Sequence, residues 1–166
     1  RRNNKEHTSL FIEGVSDNRY ISMKADLLFD QQRKKSLFGK CGYALIELLE
    51  VDYEQFYNKV RPYCCYAGPW NITSEQGLLL IRSIQLDRES DIMYLEMGSS
   101  ALYSPFIGKS QLEQHSCVSW CEKHLLSLGI RRESSAWKWL DAFVAVPSLH
   151  VPDTNASNKK GNCKLM

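Results

Sequence analysis

The stretch "YISMKADLLFD", Tyr20–Asp30, decides between a sheet and a helical fold. Ile21, Met23, Ala25, Leu27 and Phe29 alternate with Ser22, Lys24 and Asp26, and only Leu28 breaks the period. Period two puts one apolar row on a single strand face and leaves the other row for water, so the segment is predicted to be a strand. Tyr20, Met23 and Leu27 also lie three and four apart, which makes helix the competing assignment.

Upstream, "SLFIEGV" (Ser9–Val15) is β-rich and ends near Gly14, a first strand. The polar "QQRKKS" turns the chain, and "GYALIELLEV" (Gly42–Val51) reads as a third strand, too apolar to face water on both sides and hence central. With its partner strand it is expected to be structural, with Leu45 in the core. Asp52 lies three residues before Gln55 in a capping-box pattern, and Tyr53, Phe56 and Val60 repeat at helical spacing up to Arg61-Pro62. Residues 62–77 hold Pro62, Gly68, Pro69 and Gly77 around "YCCYAGPWN", a loop long enough to suggest a role of its own.

"GLLLIRSIQL" and "DIMYLEMG" flank the polar "DRES" and read as a hairpin. The competing assignment uses Thr73 and Gln76 to cap a helix running through Ile84. Val118, Cys121, Leu125 and Leu128 fall on one face of an amphipathic helix, about 111–128, that stops at Gly129. Ser134 or Ser135 can cap a shorter helix containing Trp137, Leu140, Phe143 and Val144. Strands followed by helices argue for α+β. The expected architecture is a mainly antiparallel sheet covered by C-terminal helices, a single compact domain over 9–147 between polar tails at 1–8 and 148–166.

At 166 residues, with 43% hydrophobic and 24% charged residues, the composition is that of a soluble globular protein. The longest apolar run falls well short of the roughly 18 to 20 residues a membrane span needs. The chain starts at Arg1 rather than Met, which suits a processed form or an excised domain. A net charge of +2 gives no global pull toward nucleic acid or anionic membrane. The local basic clusters, Arg33–Lys35, Arg131–Arg132 and Lys159–Lys160, read as solvated loops or tails.

Six cysteines (Cys41, Cys64, Cys65, Cys117, Cys121, Cys163) and sequons at Asn71 and Asn155 would suit a disulfide-linked secreted protein. A chain of this size folds without staples, however, and the balance falls on a reducing, intracellular setting. His115, Cys117, Cys121 and His124 form H-x-C-x3-C-x2-H, with three of them along one helical face. That face also carries Val118, Leu125 and Leu128, so the cysteines are read as core, with no metal and no cofactor expected.

The order Gly42-Tyr43-Ala44, with Lys40 nearby and "LFIEGV" upstream, resembles the two RNA-reading strands of an RNA-recognition motif. The resemblance implies bases stacked on sheet aromatics, with Phe11 as one platform. Leu45 and Leu48 stand where two stacking aromatics belong, which removes about 1–3 kcal/mol per base at each. "GKS" at Gly108–Ser110 lacks the earlier glycine of a phosphate loop, where Tyr103 stands instead, and "YLEMGSS" lacks the further glycines of a cofactor turn. No nucleophile elbow and no family-specific cysteine signature is present, so the balance is against an enzyme.

The leading expectation is therefore a non-enzymatic protein-interaction module within a larger assembly, with Tyr63, Tyr66 and Trp70 of the long loop as the partner-binding anchors. The alternatives are a secreted or viral glycoprotein domain binding a host protein, and a degenerate RNA-recognition module. Nucleic acid is a weakly supported partner. Membrane enters only through Cys163-Lys164-Leu165-Met166, a lipidation box at Cys163 if Met166 is the natural end.

Overall fold

A computed structural model describes residues 7–34, 41–52, 66–95, 113–131 and 141–149. Among them run strands β1 (Leu10–Ser16), β2 (Arg19–Lys34), β3 (Cys41–Val51) and β4 (Tyr66–Asn71), then helix α1 (Ser74–Glu89). Strands β5 (Met93–Leu95) and β6 (Gln114–His115), helix α2 (Cys117–Ser127) and strand β7 (Asp141–Val146) complete them. The strands form one sheet in the order β4-β7-β1-β2-β3-β5-β6.

Tyr20–Asp30 is a strand, as its period of two predicts, but the polar row is not left for water: Ser22 and Asp26 are buried and Lys24 is half-buried. Ile21, Met23, Ala25 and Leu27 are buried in one cluster, and β2 pairs antiparallel with both β1 and β3. Asp17 and Asn18 turn β1 into β2 with φ of 50° and 61°. A two-residue hairpin loop needs the left-handed region at both central positions, and Asp and Asn tolerate it.

The α+β class stands, but the sheet is mixed. β1–β2, β2–β3 and β3–β5 are antiparallel, whereas β1–β7, β4–β7 and β5–β6 are parallel. The helices are not a C-terminal layer either. α1 sits between β4 and β5 in the chain, α2 between β6 and β7.

Several local assignments change, and the expected loop over 62–77 is one of them, since it holds β4 and the start of α1. "GLLLIRSIQL" belongs to α1, which starts at the reciprocal Thr73–Gln76 capping box, so the competing helix reading is correct there. Gly77, Leu80, Ile81 and Ile84 form its buried side, a three-and-four spacing that the run of leucines conceals. Phe143 and Val144 lie in β7, not in a helix. Leu45 points outward with 45% exposure, while Ile46 and Leu48 carry the buried side of β3. The expected helix after Asp52 lies outside the described residues.

Leu80, Ile81 and Ile84 of α1 and Trp120, Cys121 and Leu125 of α2 pack with Leu10, Ile12, Met23, Ile46 and Leu48 in one core. A Cβ added at Gly14 would meet the Val146 carbonyl oxygen at 2.7 Å, so only glycine lets β1 and the end of β7 approach this closely. In a second cluster Phe11 stacks on Phe143 with centroids 4.6 Å apart, and Val51 packs against them. Glu13 and Asp26 are buried as well. A buried carboxylate needs partners, and those of Asp26 define the site described next.

Candidate functional site

Continuing the β1–β2 register past Leu10 opposite Ala25 sets Ser9 opposite Asp26. The Ser9 amide donates to Asp141 Oδ1 and its carbonyl accepts from the Ala142 amide, so the start of β7 fixes the residues leading into β1. The Ser9 hydroxyl donates to Asp26 Oδ1. His7, two residues earlier, meets the same oxygen with Nε2 at 2.9 Å, and Lys24 Nζ lies 2.6 Å from Asp26 Oδ2. Burial alone would raise the Asp26 carboxyl; hydrogen bonds from His7, Lys24 and Ser9 overcome it and hold the group below its ordinary value.

The third member comes from α2. Ser116 caps this helix, accepting from the Ser119 amide while the Ser119 hydroxyl accepts from the Ser116 amide. Cys117 is therefore the first helical residue, at the positive end of the helix dipole. Its thiol lies close enough to His7 for each group to shift the titration of the other. Nε2 of His7 is committed to Asp26, which leaves Nδ1 as the second imidazole nitrogen. Burial pushes the Cys117 thiol up, but His7 and the backbone amides of Thr8 and Val118 outweigh this and lower it from the usual cysteine value. The hydrogen bond to Asp26, and after it the neighbouring Cys117, raise His7 from 6.5 to about 9. Both shifts run in the direction of an imidazolium–thiolate pair. The His7 side chain keeps 29% exposure, so the otherwise buried pair reaches solvent at the imidazole.

One turn along the same helix, Cys121 differs. It is fully buried, donates weakly to the Thr8 carbonyl at 3.8 Å, and is pushed well above the ordinary thiol range by burial. Both thiols are free.

A second polar network joins the two helices. Asp87 of α1 accepts from Trp120 Nε1 at 2.8 Å and from Lys123 Nζ, and bonds His124 Nε2 at 3.1 Å. His124 Nδ1 lies 3.4 Å from Ser83 Oγ, a serine–histidine–aspartate order. His124 is completely buried beneath Trp120, whose ring meets it edge-on, while Ser83 is half-buried and its contact with His124 is long at 3.4 Å, so this set is read as a staple between the helices.

The H-x-C-x3-C-x2-H string thus divides among separate partners: His115 with Glu113, Cys117 with His7, Cys121 with Thr8 and His124 with Asp87. Among the described residues no group of three or more His, Cys, Asp or Glu is placed to hold a metal ion. Nor is any helix of the described residues long and apolar enough to cross a membrane.

Of the expected partner anchors, Trp70 is half-buried in β4, packed against the main core. Tyr66 opens the same strand opposite Asp141, while Tyr63 and Cys163 lie outside the described residues. Arg33 of the basic cluster pairs with Asp91 at 2.7 Å and sits 3.7 Å over the Tyr43 ring, so the aromatic at the centre of the RNA-motif resemblance is covered by a cation.

Sequence reasoning passed over His7, Asp26 and Cys117 as a set. His7 stood in what read as a polar tail, Asp26 as one solvated position of an alternating strand, and Cys117 as core. The available signal was Ser116–Ser119: a cap there would have started α2 at Cys117 and put a thiol on a helix N-terminus. No family model, no curated protein and no solved structure matches this chain.

Proposed function

We propose that the chain is a cysteine-dependent acyl-transfer enzyme, with Cys117 as nucleophile, His7 as acid and base, and Asp26 as the group that orients His7. The observation that carries this reading is His7, hydrogen-bonded to the buried Asp26, set beside a thiol at the first position of a helix, where each group shifts the other toward its charged form. Nucleophile, base and orienting acid in this order recur on unrelated folds because the chemistry demands the geometry and not the chain order.

The roles follow from proton positions. The Cys117 thiolate attacks an electrophilic carbonyl carbon, a C–S bond forms, and the carbonyl π electrons move onto oxygen. Cys117 contributes its own backbone N–H to that oxygen, since the first helical N–H has no partner within the helix. As the intermediate collapses, the bond to the leaving group breaks and the imidazolium of His7 delivers its proton there. Neutral His7 then takes a proton from water, the water oxygen attacks the thioester, and the C–S bond breaks to restore thiolate and imidazolium.

The test uses two small probes. Iodoacetamide at pH 6 should alkylate Cys117 ahead of every other cysteine, and p-nitrophenyl acetate should leave an acetyl group on it. His7→Ala should slow both reactions about 100-fold or more. Equal alkylation of Cys117 in the wild type and in His7→Ala would sink the reading.

Protein binding is the second reading. It is supported by Leu45 and Leu49, which are 45% and 50% exposed on the outward side of β3. An intact fold with an inert Cys117 would leave that reading in front.

A further inference from the structure

Resting on the acyl-transfer reading, we infer that Lys24 is a positioning residue that divides the Asp26 carboxylate, leaving His7 able to stand as the neutral base that the second half of the reaction needs. The geometry is a two-sided grip. Among the described residues, His7 and Ser9 share Oδ1, while Lys24 alone takes Oδ2 at 2.6 Å. Lys24 and Asp26 lie two apart on β2 and so project from one face of that strand. The lysine side chain is 35% exposed and the carboxylate 4%. A partly solvated cation is thus fixed on the far oxygen of a buried anion.

The two half-reactions ask opposite things of His7. Acylation needs the imidazolium, which gives its proton to the leaving group. Deacylation needs the neutral ring, which accepts a proton from water. A buried carboxylate directed at His7 alone would serve the first step and obstruct the second, because it would hold the ring protonated. Lys24 offsets part of that charge at short range, where the surroundings are poor in water and charge interactions are strong.

Among the described residues, the charged and titratable groups around the pair are few. His7 faces Asp26 from β2 and Cys117 from α2. Asp26 faces His7, Lys24 and the Ser9 hydroxyl. Asp141 of β7 accepts from the Ser9 amide, and Cys121 of α2 is held neutral by burial.

The experiment compares wild type, Lys24→Met and Lys24→Arg, with Lys24→Gln as a second neutral variant should the methionine form fold poorly. The His7 imidazole is titrated by NMR, and p-nitrophenyl acetate turnover is followed before and during the steady state. Loss of the lysine charge should raise the His7 midpoint by about half a pH unit or more. It should also slow steady-state turnover several-fold at neutral pH while the initial burst of acylation persists, and Lys24→Arg should restore both. A wild-type burst with an acetylated Cys117, together with an unmoved His7 midpoint in both neutral variants, would overturn the role of Lys24 alone. Absence of any acyl group on wild-type Cys117 would overturn the underlying reading and this inference with it.

Discussion

Cys117 and Cys121 lie one turn apart on one helix, yet their environments push their thiols in opposite directions. Position along the helix axis and the presence of His7 account for the difference, since both residues are buried. A similar contrast separates the two histidine–aspartate pairs. His7–Asp26 keeps an edge in solvent, whereas His124–Asp87 is closed beneath Trp120 and serves stability. Burial by itself would raise the Asp87 carboxyl, but His124, Lys123 and Trp120 hold it at about 2 against an ordinary 3.8. A depressed carboxyl stabilises the fold fully above its unfolded value and loses that contribution as pH falls through the folded one. Asp87 should therefore supply about 2 kcal/mol at neutral pH that disappears between pH 4 and 2. Urea titrations across that interval should show a steeper acid limb for wild type than for Asp87→Asn, which should already be weaker at pH 7. Parallel limbs in the two proteins would assign the acid sensitivity elsewhere.

At the scale of elements, what could be read from the sequence depended on how far a local pattern differs between helix and strand. β2 was legible because its alternation runs through five apolar positions with a single break. The segment Gly77–Leu86 was not, because Leu78, Leu79 and Leu86 are apolar yet exposed and blur the helical side formed by Leu80, Ile81 and Ile84. Its capping box carried better information than its hydrophobicity. β7 was misread because three consecutive buried residues, Ala142, Phe143 and Val144, fit a buried strand or a helix equally well. On β3 the run Ala44–Leu49 hides which row faces inward, and pairing with β2 decides it: Leu48 lies opposite Ala25 and Ile46 opposite Leu27. Leu48→Ala should accordingly cost about 2–5 kcal/mol, the range for a buried leucine. Leu45→Ala should change stability by about 0.5 kcal/mol or less, as outward substitutions do. Chemical denaturation of the pair decides the register, and a larger loss at Leu45 would reverse the faces of β3.

Over the whole molecule, the candidate site was illegible for a different reason: its residues are contributed by distant parts of the chain. His7 precedes β1, Asp26 lies in β2 and Cys117 opens α2. The β1–β2 hairpin sets His7 beside Asp26, α2 brings Cys117 in from outside the sheet, and β7, entering between β4 and β1 as a parallel strand, fixes the approach to β1. No local pattern announces such long-range pairing. The same topology bears on Trp70, expected from sequence to anchor a partner. Its half-buried side chain packs against the main core, and its strand pairs with β7 through Trp70 opposite Val144. Trp70→Ala should therefore lower stability by about 1–3 kcal/mol, less than a fully buried tryptophan would. It should leave the alkylation of Cys117 unchanged well below the melting temperature. The reason is that β7 stays paired to β1 on its other side, and the Asp141–Ser9 and Ala142–Ser9 hydrogen bonds that fix the approach to β1 do not involve β4. Thermal melts and iodoacetamide rates on the one variant read the two effects separately. A stable Trp70→Ala protein that loses a binding partner would return Trp70 to the role of anchor. A destabilised protein whose Cys117 also becomes inert would show that β4 supports the site through β7.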